Sequence, residues 1–110
     1  MQTLTDPGQL QAHCAQGASL LLFGGSHCSV CQVIRPRLEQ QFGERFPLLK
    51  LAYVDCEAAA GVCARYAVFS VPVVQVYFEG SRFIERVRVF SLGQLAEDIQ
   101  RPYDLWMDAQ

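Results

Sequence analysis

Charge is scarce in this sequence and almost missing from its first third, where Asp6 is the only ionised side chain before Arg35. Charged residues make up 18% of the chain, against about 25% in an average soluble domain. There is no excess of positive charge. Nine basic side chains stand against 11 acidic ones, which removes the counterion-release term that binds proteins to phosphate backbones and the attraction to anionic lipid. Neither nucleic acid nor a membrane is an expected partner. Long hydrophobic runs are missing as well: the longest, Ala18 to Gly25, is far short of the ~18 residues that suggest a membrane span. No basic stretch of the kind that opens a secretory signal precedes it, so a soluble cytoplasmic protein is the expectation. Repeats, low-complexity segments and linkers are absent, and 110 residues leave room for one core. What abounds is apolar, 51% of residues, enough to exclude disorder as the main state.

The pattern alternates between helical and extended segments, which argues an α/β fold. Asp6 and Pro7 read as the cap and first position of a helix that Gly17 stops, with Leu10 and Cys14 inward. Ser19 to Phe23 is a continuous apolar run ending in two glycines, as in a strand covered on both faces. Val30, Ile34, Leu38 and Phe42 form a helical stripe that ends at Gly43 and should kink at Pro36. A strand is expected over Leu48 to Val54 and a helix over Glu57 to Tyr66. Val71 to Phe78 is a strand with Pro72 at its start. Glu79-Gly80 then turns the chain, and Phe83, Val87 and Val89 alternate with Arg82, Arg86 and Arg88 as a half-exposed strand with the apolar side inward. Ser91 caps a last helix through Leu92, Leu95, Ala96 and Ile99 that should stop or bend at Pro102. Gln2 to Thr5 is an additional short strand.

Cys28 and Cys31, with two residues between them, are the strongest chemical signal, because they follow a buried strand and a glycine turn at the start of a helix. Unpaired N–H groups and the positive end of the helix dipole favour the thiolate of Cys28, which makes it the attacking sulfur. Cys31 lies about one turn further on, close enough to resolve a mixed disulfide. The competing reading is metal. Cys28, Cys31 and His27 supply three ligands, but a structural zinc site needs four, usually with a second closely spaced pair, and none is present.

The string Phe23-x-x-x-x-Cys28-x-x-Cys31-x-x-x-x-Pro36, followed some forty residues later by Val71-Pro72 at a strand start, resembles the thioredoxin family. The resemblance extends through Val54-Asp55, Tyr66-Ala67-Val68, Glu79-Gly80 and Leu92-Gly93-Gln94-Leu95. It implies a single thioredoxin-fold domain over residues 1–110, a central mixed β-sheet flanked by helices, with 103–110 as a C-terminal extension. Also implied are a thiol–disulfide oxidoreductase in which Cys28 attacks and Cys31 resolves, a cis Pro72 facing them, and Phe23 and Pro36 as structural support. His27, Val71 and Pro72 would meet the substrate. The partners would be proteins carrying disulfides and an electron donor, either a reductase or a small thiol, with no cofactor beyond the Cys28–Cys31 disulfide itself.

Several positions depart from the family pattern. Leu22 replaces a buried acid that handles the proton of the second thiol, His27 replaces an aromatic residue, Ser29-Val30 replaces Gly-Pro, and Gln32 replaces a lysine. A glycine expected in the last strand is missing from Arg86 to Val89. His27 either supports the Cys28 thiolate as an imidazolium or faces solvent without a part. The loss of the acid favours the alternative of a peptide-binding or assembly module, which would use an uncharged groove around Gly24-Gly25 and Val71-Pro72-Val73. Retention of both cysteines opposes that alternative.

Cys56 and Cys63 are a second pair. If both were helical, their Cα atoms would lie roughly 10 Å apart, beyond the ~7 Å limit for a disulfide. Cys63 then reads as a small core residue and Cys56 as a thiol at a helix start, with a regulatory disulfide as the other reading. Cys14, on an apolar face, reads as inert core. Leu105, Trp106 and Met107 either fold back onto the domain or form an exposed contact for a partner or second copy.

Overall fold

A computed structural model describes all residues, 1–110. Five strands and four helices follow in the order β1 (Gln2–Leu4), α1 (Pro7–Ala15), β2 (Ala18–Gly24), α2 (Ser29–Arg45), β3 (Leu49–Asp55), α3 (Ala60–Arg65), β4 (Val73–Phe78), β5 (Ser81–Val87) and α4 (Leu92–Asp108). The strands form one mixed sheet in the order β1-β3-β2-β4-β5. β1, β3 and β2 run parallel, and β4 and β5 pair antiparallel.

β2 is central and every one of its residues is buried, which explains a run without polar alternation. Leu20 and Leu22 face a core shared with Leu38, Phe42, Leu95, Ile99 and Tyr103 of α2 and α4. Leu21 and Phe23 face the opposite core, with Leu10 and Cys14 of α1 and Val62 and Cys63 of α3. Successive side chains of a strand point to opposite faces, so a strand covered on both sides is apolar on both, and its one buried polar side chain, Ser19, is satisfied by donating to the His13 carbonyl at 2.6 Å. The local signals behave as their chemistry dictates. Asp6 accepts from the Gln9 N–H while the Gln9 side chain accepts from the Asp6 N–H, and Ser91 accepts from the Gln94 N–H. Glu79 and Gly80 both have positive φ, 51° and 86°, as a two-residue hairpin turn between right-twisted strands requires.

Five expectations are corrected. The α2 stripe is displaced by one residue at its start: Val30 is exposed, whereas Cys31, Leu38 and Phe42 are buried, because the inward face of the helix follows the i, i+7, i+11 spacing from Cys31. The helix also passes Gly43 and ends at Arg45, capped by Phe46, whose N–H donates to the Phe42 carbonyl at 2.8 Å. On β5 the inward residue is Ile84, while Phe83, Val87 and Val89 are exposed. A register shift lets Val76 pair with Ile84 and Tyr77 with Arg82, so Phe83 is an extra residue, and a bulge of this kind reverses which side chains face inward. α3 begins at Ala60, not Glu57. Finally, α4 does not stop at Pro102 but continues to Asp108. A proline inside a helix costs about 3 kcal/mol, and the packing beyond it offsets that cost: Tyr103 stacks on Phe46 at 5.0 Å and Trp106 packs on Tyr103 and Phe78. The Trp106 indole donates to Glu79 at 2.8 Å, so the C-terminal segment folds back onto the domain.

Candidate functional site

β2 ends at Gly24, and Gly25 to His27 turn the chain into α2. Cys28 is the N-cap of that helix, and its sulfur accepts the Cys31 backbone N–H at 3.2 Å. A sulfur in this position meets unpaired N–H groups and the positive end of the helix dipole, both of which favour negative charge. Cys28 is partly exposed and Cys31 is fully buried. The two are joined as a disulfide with Cα atoms 5.2 Å apart.

The Val71-Pro72 peptide is cis. Val71 lines an open cleft of about 460 Å³ together with Cys28, His27, Gly24 and Gly25. Pro72 is buried behind it, its carbonyl accepting from the Arg88 N–H at 2.7 Å. Phe23 is buried in the core beneath, its ring 6.0 Å from that of Tyr66. Pro36 lies inside α2 with its side chain exposed.

Glu57, which no sequence motif marks, organises the turn before Cys28. Its carboxylate accepts from the Ser26 N–H at 2.7 Å, from the Ser26 hydroxyl, from the His27 N–H at 3.3 Å and from His27 Nδ1 at 2.7 Å. These bonds, from Ser26 first and then His27, hold the carboxyl at about 2, well below its usual 4.5. The His27 ring is exposed to solvent, and its Nδ1 is tied to Glu57. No local pattern marks this pair, because thirty residues separate its members and the contact exists only once β2 and β3 lie side by side. Asp55 shapes the turn that presents Glu57, accepting from the Glu57 N–H at 2.9 Å.

Cys56 and Cys63 form a second disulfide, with Cα atoms 5.7 Å apart, which overturns the reading of two unbridged thiols. A separation of roughly 10 Å holds only where both residues are helical. Cys56 instead sits in the turn before α3, its N–H bonded to the Gly24 carbonyl at 2.8 Å, and the chain doubles back to bring the sulfurs together. This disulfide lines the same cleft as Cys28. Cys14 is free and buried, and desolvation pushes its thiol up to about 11. No three His, Cys, Asp or Glu side chains come together in a group that could hold a metal ion, and His27, a ligand in the metal reading, is committed to Glu57.

The thioredoxin family model matches residues 6–101. The thioredoxin-like protein YdfQ of Bacillus subtilis is 32% identical over 79 residues, covering 72% of this chain and 70% of that protein. Among solved structures, a mutant thioredoxin of Halobacterium salinarum superposes with a TM-score of 0.81 at 20% identity, over 91% of this chain and 88% of that one. The thioredoxin of Fasciola hepatica gives 0.78 at 22% identity, over 92% and 98%. Likenesses at these identities establish the shared fold.

Proposed function

This chain belongs to the thioredoxin family, and from that premise we propose that Cys28 is its attacking sulfur and Cys31 its resolving sulfur. The protein is a thiol–disulfide oxidoreductase. The observation that carries the assignment of roles is the asymmetry of the pair. The Cys28 sulfur, at the mouth of a cleft, accepts an N–H from the first turn of its helix, while Cys31 is wholly buried. The Cys28 thiolate attacks a substrate disulfide and releases one substrate thiol. Cys31 then attacks Cys28, the second substrate thiol leaves, and the chain ends as the Cys28–Cys31 disulfide. Two electrons pass from the chain to the substrate, and a reductase or small thiol restores them.

Val71 and the cis Pro72 form the wall against which a substrate segment lies, with His27, positioned by Glu57, at its rim; Phe23 and Pro36 serve as support. The Cys56–Cys63 pair, on the same cleft, acts as a regulatory disulfide whose opening would alter access to Cys28.

Cys28→Ser abolishes disulfide reduction, whereas Cys31→Ser still attacks and accumulates a covalent adduct with a disulfide-bearing protein, visible by mass spectrometry. Unchanged turnover in both variants would sink the assignment and return the cleft to the peptide-binding reading.

A further inference from the structure

Leu22 pairs with Tyr53 across β2 and β3, and both side chains lie in the core that faces α2 and α4. Tyr53 therefore brings a polar atom to the region where Leu22 has none. A Cβ built on Gly24 would sit 2.7 Å from the Tyr53 hydroxyl and 3.1 Å from the Cys31 Cβ, so the space kept empty by this glycine is the space between the phenol and the resolving cysteine. The ring cannot readily swing away. It is 3% exposed, and the Arg35 guanidinium lies over it 4.0 Å from the centroid, itself held by the Thr3 hydroxyl at 3.1 Å.

Burial first, and then the Asp55 carboxylate, push the Tyr53 phenol above its ordinary value, with Glu57 adding to this and Arg35 and Gln32 opposing it. The hydroxyl is thus a proton donor throughout the neutral range and cannot act there as a base.

We propose that the Tyr53 hydroxyl donates a hydrogen bond to the Cys31 sulfur once the Cys28–Cys31 bond is open, stabilising the Cys31 thiolate as it attacks Cys28. In that step the Cys31–Cys28 bond forms, the bond from Cys28 to the substrate sulfur breaks, and the departing sulfur takes the electron pair and the proton that Cys31 gives up. Tyr53 keeps its own proton. Hydrogen bonds to the charged form favour ionisation, and a one-unit change in pKa is a tenfold change in the thiolate-to-thiol ratio.

This inference rests on the assignment of Cys31 as the resolving thiol. The test is Tyr53→Phe, which keeps the ring and its contact with Arg35. In a Cys28→Ser background, the ultraviolet thiolate titration of Cys31 is expected to move up by about one unit. Release of a preformed mixed disulfide should slow about tenfold, while the first attack, followed as adduct formation in a Cys31→Ser background, stays unchanged. Gly24→Ala, checked for folding by circular dichroism, should reproduce both effects with the phenol still present, because its methyl group enters the gap. An unmoved Cys31 titration and an unslowed release in Tyr53→Phe would overturn the proposal even if the wild type turns over normally. Full turnover in Cys31→Ser would instead remove the assignment on which it rests.

Discussion

At Glu57 one exposed carboxylate collects the Ser26 and His27 donors and so fixes the turn that precedes the attacking sulfur. Its folded value near 2 lies below its usual 4.5, so its contribution to stability is present above that usual value and is lost as the pH falls through about 2. Carbon-detected nuclear magnetic resonance of the Glu57 carboxyl should find its midpoint near 2. His27→Ala, which removes the ring donor but keeps both Ser26 bonds, should move that midpoint part of the way back. A midpoint left unchanged in His27→Ala would mean that Ser26 and the residue-27 backbone N–H hold the carboxylate without the ring. The same residue-scale logic gives Cys14 its silence: a thiol held near 11 in a buried site is almost entirely protonated at neutral pH, and the thiolate is the nucleophile.

Among the elements, α3 depends most on a covalent link. It has six residues, no side-chain cap and a glycine at its second position, too short to be stable from helix propensity alone. The Cys56–Cys63 disulfide joins it to the turn after β3, and Val62 and Cys63 anchor it in the core. Cross-linking a loop of this length limits the unfolded chain by about 2 kcal/mol. A Cys56→Ser and Cys63→Ser double variant should therefore lose about 2 kcal/mol in urea unfolding, with faster amide exchange concentrated in α3 and its flanking turns. Uniform exchange across the sheet would contradict this local role. α4 shows the opposite economy: it is capped at Ser91, carries Pro102 in its interior and is held by its packing.

For the whole molecule, the two cores on opposite faces of one sheet make the last two turns of α4 part of the fold. Tyr103 is buried, its hydroxyl accepts from the Leu48 N–H at 3.1 Å, and its ring lies against Phe46. We expect residues 1–110 to unfold as one unit. A chain ending after Pro102 should lose about 4 kcal/mol, in line with removal of a large buried aromatic, out of a total of about 5–15 kcal/mol for a domain. The urea midpoint measures it; an unchanged midpoint would make residues 103–110 a dispensable extension. Phe83 and Leu105 remain exposed on this side, so what the fold requires of the segment is Tyr103 and Trp106.

The sequence by itself determined the element order, the doubly buried centre of the sheet, the caps at Asp6 and Ser91, the hairpin at Glu79-Gly80 and the paired cysteines at a helix start. These are local: propensity, side-chain period and capping act within a few residues, and the chain carries them wherever it folds. Tertiary structure alone decided which side chains meet across the sheet. Glu57 reaches Ser26 and His27, Tyr53 reaches the space beside Cys31, and Cys56 finds Cys63, because β3 lies beside β2 in one register and α3 starts late. Strand registry also set the inward face of β5, where one bulged residue reversed the alternation, and packing against Phe46 and Phe78 carried α4 past its proline. Contacts between residues far apart in sequence depend on registry and packing, which local patterns do not encode, and a shift of a single residue turns a side chain from one face of a sheet to the other.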